Sequence, residues 1–536
     1  MGPIDWVVLT LYLTAMVAVS AWLSRRQRSL ADYYLGGRKL SAGAVGISTL
    51  ATQSSAISFL SIPAFVALRE EGGLRFLQYE LALPAAMAAL ALWVMPALRR
   101  AGVVTIYEYL ALRFDARVRR AIALVFLISR GLATGVALYA TGLILHTCLG
   151  LPLWLNLLLV GLVTVLYDLL GGMEAVVYSD VVQMGVLLVA LGTAIWTVTT
   201  AVGGPTAVIE HFPAARLAAL AQPAQGPDGL AAYILGGMFL YMSYYGCDQS
   251  QAQRLLSVGS VRSSQWALML NGTARFPLIC GYCLLGVVAS AALAVHPDLQ
   301  AAVHEGPSDS LVPQLIRTFL PTGVRGLVFA GLLAAAMSSL DSALNALSAS
   351  TVRDFWRTTA SSDRAEVRRA RLATLAWGLA ITGFAFIVGD ISKTVIEAIN
   401  KIGSLFYGPV LAVFLLALPA RRCTADAVLV GLASGVALNL ILYLTAPELH
   451  FLWWNVSGCL TTLLMACGLQ PFWSRQGPGA SQPPNPSRSR PRAFGPPSPP
   501  PPDALPNAWI AGWSLAATAW ILAVMWLLQY LAQVHR

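Results

Sequence analysis

The stretch GLLAAAMSSLDSALNALSASTVRDF, from Gly331 to Phe355, combines an apolar helix with a row of polar side chains. Four polar residues stand at positions i, i+3, i+4 and i+7: Ser338, Asp341, Ser342 and Asn345. At 3.6 residues per turn they share one helix face. A carboxylate inside a membrane is costly and usually faces a cavity or an ion path, so the row predicts a cation site. The alternative for any single serine is a hydrogen bond to its own helix backbone.

The composition indicates a membrane protein. Of the 536 residues, 57% are hydrophobic and only 11% are charged. Apolar runs of about 18 residues or more recur along the whole chain, which is typical of a polytopic helical protein. The fold-class prediction is therefore an all-α polytopic membrane protein with about fourteen transmembrane helices. The predicted spans are residues 4–24, 41–68, 74–98, 118–149, 152–170, 175–202, 230–257, 264–295, 322–356, 368–389, 391–419, 424–446, 449–471 and 508–534.

The basic residues set the orientation. The net charge of +10 does not indicate nucleic-acid binding, because arginines cluster in short loops between spans. With the N-terminus outside, the inside loops hold most of them, including Arg25, Arg26, Arg28, Arg254, Arg421 and Arg422. The positive-inside rule then places both termini outside. The excess of Arg over Lys and the abundant Ala suggest a bacterial source, and hence the bacterial inner (plasma) membrane.

Two predicted spans are interrupted by polar runs. LATQSSAIS lies inside 41–68, and YYGCDQSQAQR lies inside 230–257. Such breaks at corresponding places in two halves point to a transporter binding site, because unwound backbone at that depth must line a cavity. The predicted organisation is a first helix and cytoplasmic loop (1–40), a first inverted repeat of five helices (41–202), an outside loop (203–229), a second repeat of five (230–419), two further helices (420–471), a disordered Pro/Arg-rich cytoplasmic linker (472–507) and a last helix (508–536).

Four blocks resemble the sodium:solute symporter family, which has the five-plus-five inverted-repeat fold of the LeuT type. They are DYYLGGRKLS (Asp32–Ser41), YDLLGGMEAVVYSDVVQ (Tyr167–Gln183), DQSQAQRLLS (Asp248–Ser257) and AGLLAAAMSSLDSALNALSASTVRDF (Ala330–Phe355). They cover most of the chain in the family's order. The third block is more similar to the branch that carries monocarboxylates and vitamins than to the sugar branch.

The resemblance implies a sodium site between the first broken helix and the Ser-Ser helix. Its ligands would be the carbonyls of Ala51, Ser54 and Ala335 and the hydroxyls of Ser338 and Ser339. Members with a second sodium imply a second site, here at Asp180, Ser338, Asp341 and Ser342. Some members have serine where Asp341 stands, so this carboxylate could strengthen cation binding or hold a proton. The alternative for Asp180 is a pair with a loop arginine.

The resemblance also implies residues that line a central solute cavity: Gln53, Ser55, Ser58, Glu80, Asp248, Gln249 and Asn400. Each could equally be a polar group in helix packing. Three cations fall deep in predicted spans, at Arg130, Arg275 and Lys401. Because a guanidinium holds a carboxylate with two parallel hydrogen bonds, Arg130 is predicted to anchor an organic acid. The competing interpretation is a structural pair between Arg130 and an internal carboxylate such as Asp180.

The predicted function is Na⁺-coupled symport of a small carboxylate-bearing solute by alternating access. The alternatives are symport of a sugar or a proline-like amino acid, and a transporter-like sensor. An enzyme is not expected, because the histidines and cysteines supply neither a nucleophile–base pair nor a metal cluster. The predicted partners are Na⁺ as coupling ion, the solute and the lipid bilayer. We expect no organic cofactor, no nucleic acid and no obligatory protein partner.

Overall fold

The computed structural model describes residues 1–23, 27, 29–69, 72–220, 229–304, 308–356, 363–388, 395–418, 423–446, 448–474 and 503–534. Within these ranges, the side chains of residues 147–148, 309, 395–402, 471–474 and 534 are not described. The predicted disordered linker lies almost wholly outside the described residues and stays a prediction. So do Arg25, Arg26, Arg28, Arg421 and Arg422 of the predicted inside loops.

The described chain is helical. In chain order the α-helices are α1 (Pro3–Leu23), α2 (Leu30–Leu35), α3 (Ala42–Gln53), α4 (Ala56–Leu68), α5 (Leu83–Ala89), α6 (Met95–Ala101), α7 (Ile106–Arg113), α8 (Ala116–Leu149), α9 (Leu153–Val202), α10 (Pro205–His211), α11 (Gly237–Cys247), α12 (Gln249–Leu256), α13 (Val261–Val295), α14 (Pro297–His304), α15 (Leu311–Phe319), α16 (Val324–Ser350), α17 (Asp363–Val388), α18 (Val395–Ala417), α19 (Ala425–Thr445), α20 (Leu452–Ser474) and α21 (Asn507–Val534). A 3-10 segment (Gly73–Ala82) and π segments (Leu90–Val94, Ala232–Gly236, Thr351–Phe355) extend several of them. The described residues contain no β-strand, so the all-α prediction is confirmed.

Among the described residues, ten helices are long and apolar enough to cross a membrane, and the bent pair α3 and α4 forms one more. Large apolar side chains cover their outer faces, for example Trp22, Leu444, Leu464 and Leu515. An apolar exterior of this kind suits contact with lipid tails, which need no polar partner. The polytopic membrane architecture is thus confirmed.

Helix α16, which carries the polar row, runs through the middle of the molecule. Almost all its side chains are buried, and it packs on α9, α1, α8 and α17. Its small residues allow close approach: a Cβ on Gly331 would stand 2.4 Å from the Cβ of Ala190 on α9. Membrane helices that pack on small residues bring their backbones together in this way.

Both predicted helix breaks are present. Helix α3 ends at Gln53, Ser54 leaves the helical conformation at φ −88° and ψ 71°, and α4 continues at an angle of 60° to α3. In the second break Asp248 separates α11 from α12, with φ −93° and ψ 125°. Its carboxylate accepts the backbone N–H of Ser250 at 2.8 Å, which caps α12.

Helix α9 is 50 residues long but is interrupted at Gly172, whose φ and ψ are 52° and −160°. Fifty residues of straight helix would measure about 75 Å, more than twice the hydrocarbon thickness of a bilayer. The interruption therefore divides α9 into two lengths, which correspond to the separate spans predicted at 152–170 and 175–202. The carbonyl oxygen of Tyr33 on α2 lies against this point, 2.7 Å from where a Cβ would be.

We predict that Gly172→Ala lowers stability by about 1–3 kcal/mol, because the new methyl group would meet the Tyr33 carbonyl in a backbone conformation unfavourable for alanine. Thermal unfolding of detergent-purified protein measures this. The matched control is Gly185→Ala on the same helix, where no atom lies within 4 Å of the added carbon. Equal melting temperatures for the two variants would contradict the prediction.

Candidate functional site: a cluster of oxygens between two helices

The tandem serines of α16 meet the broken end of α3. The Ser338 hydroxyl donates to the carbonyl of Ala51 at 3.1 Å and lies 3.2 Å from the carbonyl of Ala335. The Ser339 hydroxyl donates to the carbonyl of Thr52 at 2.9 Å and lies 3.4 Å from that of Ala335. Two hydroxyls and three carbonyls therefore converge on a small volume. Because a hydroxyl can rotate its proton away and present a lone pair, the same atoms can accept a small hard cation.

The unwinding of α3 explains why these carbonyls are available. The chain leaves the helix at Ser54, whose N–H bonds to the carbonyls of Leu50 and Ala51 and closes the last turn. The Ala51 carbonyl accepts from α16 in addition to Ser54, and the Thr52 carbonyl takes a partner from α16. Thr52 was not among the predicted ligands. Its only signal in the sequence is its position beside Ala51 in the polar run.

A second polar cluster adjoins the first and contains a buried cation. Arg254 has no solvent exposure, and its Nη2 lies 3.3 Å from a carboxylate oxygen of Asp180. Its Nε donates to the Ser48 hydroxyl at 2.7 Å, which in turn donates to Asp180 at 2.6 Å. Arg254 also donates to the Ser342 hydroxyl and to the Ser250 carbonyl. Its predicted place in a cytoplasmic loop is therefore wrong, because α12 carries it into the interior.

Asp341 lies beside this cluster on α16. It accepts the hydroxyl of Tyr167 at 2.7 Å and that of Ser342 at 3.1 Å. Ser342 also contacts the hydroxyl of Thr52 at 3.0 Å, which connects the two clusters. The structure thus brings the predicted second-site residues together, with the guanidinium of Arg254 among them.

Arg130 lies at the second helix break. Its Nη1 is 3.7 Å from Asp248, its guanidinium carbon is 6.0 Å from the ring centre of Tyr244, and its buried Nε has no hydrogen-bond partner in the described structure. Its carboxylate neighbour is Asp248, not Asp180. A cavity next to this pair is lined by Ser129, Ser243, Tyr107, Phe126 and Tyr407. The pair is loose, and its cation is only partly satisfied.

Glu80 and Arg275 form a much tighter pair. Arg275 Nε donates to both carboxylate oxygens of Glu80, at 2.8 and 3.1 Å, and the guanidinium lies 5.5 Å from the ring centre of Tyr241. Glu80 is fully buried. The buried charges of Glu80 and Arg275 thus neutralise each other in one ion pair.

The remaining predicted solute contacts fall into four groups. Gln53 has a buried side-chain oxygen without a hydrogen-bond partner in the described structure. Ser55 and Ser58 lie within 3.5 Å of each other at the start of α4. Gln249 instead bonds the backbone before α7, accepting from Ile106 N at 2.9 Å and donating to Val104 O at 3.2 Å. Asn400 lies on α18, but its side chain is outside the described part of the structure.

Discontinuous helices that pair freed carbonyls with hydroxyls in the middle of a bundle define a class of protein, the secondary active transporters. The comparisons identify the group within that class. The family model for the sodium:solute symporter family matches residues 33–435. The chain belongs to this family. It is an integral protein of the plasma membrane that carries a solute together with Na⁺, and the family consists of transporters, not enzymes.

Several curated relatives are named for anions. The chain is 30% identical to the sodium/iodide cotransporter of Homo sapiens, over 82% of this chain and 69% of that protein. It is 26% identical to a sodium/sialic acid symporter of Aliivibrio fischeri, over 87% of this chain and 92% of that protein. A solved structure of a Na⁺-coupled sialic acid symporter, substrate-bound and outward-open, superimposes with a TM-score of 0.79 at 24% identity, over 88% of this chain and 98% of that one. This last likeness shows the fold.

We predict that Arg254→Gln lowers stability by about 3–5 kcal/mol, because it leaves the Asp180 carboxylate buried without its cation. Adding Asp180→Asn to that variant should restore most of the loss. The exposed pair Arg117 and Asp426 is the control, and its Arg117→Gln variant should leave stability nearly unchanged. Thermal unfolding in detergent measures all three variants. A double variant no more stable than Arg254→Gln alone would contradict the coupling.

Proposed function

We propose that the chain couples sodium entry to the uptake of a small organic anion that bears a carboxylate. The observation that carries this is Arg130, a largely buried cation at the second helix break. Its Nε has no hydrogen-bond partner, and its only carboxylate neighbour among the described residues stands 3.7 Å away. A solute carboxylate can supply the two parallel hydrogen bonds that Asp248 does not. Relatives named for iodide, sialic acid and monocarboxylates support an anionic solute. A sodium/glucose cotransporter among the relatives keeps a sugar as the second candidate.

The proposed coupling site is the oxygen cluster between α3 and α16. Sodium would be held by the carbonyls of Ala51, Ser54 and Ala335 and the hydroxyls of Ser338 and Ser339. The contacts of 3.1–3.4 Å among these oxygens support four of the five ligands. Because the ion would join both helices, its binding would stabilise the arrangement that binds solute. The membrane potential adds about 2.3 kcal/mol per charge per 100 mV to the driving force.

The proposed second cation site is formed by Asp180, Ser338, Asp341 and Ser342. One oxygen of Asp180 has no hydrogen-bond partner in the described structure, which supports an additional ligand there. Arg254 already neutralises part of the charge, so an ion at this site would share its carboxylates with the guanidinium. Gln53, Ser55, Ser58, Glu80, Asp248, Gln249 and Asn400 complete the proposed solute cavity.

The finer architecture is part of the same proposal. Fourteen spans result if α9 counts as two, the broken pair α11 and α12 as one and α18 as one, beside the eleven apolar spans found. The two broken helices would open two inverted repeats of five, at 41–202 and 230–419. Both termini would lie on the outer side of the bacterial inner membrane. No obligatory partner would be needed besides Na⁺, the solute and lipid.

The sodium site has a direct test. Ser338→Ala with Ser339→Ala should reduce uptake into proteoliposomes with an inward Na⁺ gradient to the level measured with choline, because two ion ligands are lost. The control is Ser434→Ala, whose hydroxyl only bonds its own helix at Val430. Full gradient-driven uptake by the double variant would overturn the site.

The solute class has a second test. A panel of labelled carboxylates, sugars and amino acids identifies the cargo, and Arg130→Gln should then raise its half-saturating concentration at least about tenfold, since a charge-assisted contact is lost. Thermal stabilisation by Na⁺ should persist in this variant. Arg317→Gln, at an exposed arginine on α15, is the control. Unchanged affinity in Arg130→Gln, or uptake of neutral sugars only, would exclude the anion anchor.

A further inference from the structure

Asp168 is a buried carboxyl group that the sodium and solute sites do not use. It lies on α9, one turn before the interruption at Gly172, and has no solvent exposure. Neither of its carboxyl oxygens has a hydrogen-bond partner in the described structure. Every other buried carboxylate discussed above has at least one donor. A bare carboxylate at this depth is strongly unfavourable, so something must neutralise it.

Among the described residues, the surroundings of Asp168 carry too little positive charge. Arg254 is its cationic neighbour, and that guanidinium is already engaged by Asp180, Ser48 and Ser342. Two further carboxylates, Asp180 and Asp341, act on Asp168 with like charge. The charged and titratable groups around it are Tyr33 and Tyr34 on α2, Arg254 on α12, Asp341 on α16, Asp180 on α9 and, beyond Tyr33, Arg371 on α17. Within the described part of the chain, three carboxylates thus share one arginine.

The polar groups close to Asp168 do not suit a metal ion. The Asn345 amide on α16 is the neighbouring side chain and faces Asp168 as a hydrogen-bond donor, but its Nδ2 does not reach hydrogen-bond geometry in the described structure. Its oxygen already accepts from Gln253 at 2.8 Å. A hard cation needs several oxygen ligands, which the described residues around Asp168 do not supply, whereas a proton needs only one carboxyl oxygen.

We propose that Asp168 is a proton-binding site and that sodium binding at the neighbouring oxygen clusters releases its proton. The inference rests on the proposed sodium sites. The Asp168 carboxyl O–H breaks, the electron pair stays on the carboxylate, and the proton leaves to bulk water. Sodium favours this step because added positive charge nearby stabilises the ionised form. By reciprocity, acid conditions weaken sodium binding. In this proposal the sodium-driven uptake of solute requires neither the Asp168 side chain nor its proton.

The test measures protons directly. Purified protein in unbuffered detergent solution with a pH-indicator dye receives NaCl or choline chloride at mildly acidic, neutral and mildly alkaline pH. We expect sodium to release up to one proton per chain at one or more of these conditions. Asp168→Asn should lose that release but keep gradient-driven uptake, with a sodium affinity that no longer depends on pH. Asp298→Asn, an exposed aspartate on α14, should behave as the parent.

Infrared difference spectra give an independent readout on the parent protein and do not require the variant to fold. Sodium should remove a band of the protonated carboxyl group, and the band should be absent from Asp168→Asn where that variant folds. Equal proton release by parent and variant would overturn the proposal, and so would a parent that releases none while still stabilised by sodium. A parent that sodium does not stabilise at all would instead count against the sodium sites.

Discussion

The contact between α16 and the broken end of α3 constrains the rest of the structure. Ser338 and Ser339 reach the carbonyls of Ala51 and Thr52 only because α3 stops there and because α16 lies deep in the bundle. Both hydroxyls also lie near the Ala335 carbonyl of their own helix, and the Ala51 carbonyl also accepts from Ser54, so the contacts between the helices add to local ones. Each such hydrogen bond contributes about 0.5–1.5 kcal/mol. The two helices are therefore tied at the point where a cation would bind.

The buried charges differ in how firmly they are paired, and this difference separates their roles. Arg275 holds both oxygens of Glu80, and Arg254 is surrounded by acceptors. Such pairs offset their own desolvation, so exchanging a partner would be costly. The contact between Arg130 and Asp248 is longer, and part of the guanidinium is unsatisfied. A solute anion can therefore exchange with Asp248 at Arg130 with far less disturbance than at the other two arginines.

Local sequence patterns predicted much of this arrangement, and long-range packing decided the rest. Helical spacing placed Ser338, Asp341 and Ser342 on one face, and the polar runs marked both breaks. The partners of Glu80 and Arg275 could not be derived, because they stand 195 positions apart and meet only through tertiary packing. Arg254 was misplaced, although a signal existed. Five of the eight residues of α12 are polar, so a position against lipid would leave several of them without hydrogen-bond partners.

Helix α12 also shows how ion binding at α3 and α16 can reach the second break. Gln249 and Gln253, four residues apart, bind the backbone before α7, the carbonyl of Tyr34 and the side chain of Asn345. Arg254 adds contacts to α3 and α16. Any movement of α12 must exchange these bonds for water. The Ser342 hydroxyl contacts both Thr52 and Arg254. A cation that reorients this hydroxyl would therefore change its hydrogen bond to Arg254 on α12. The proposed coupling then needs no long pathway, because one hydroxyl is shared by the proposed ion site and by α12.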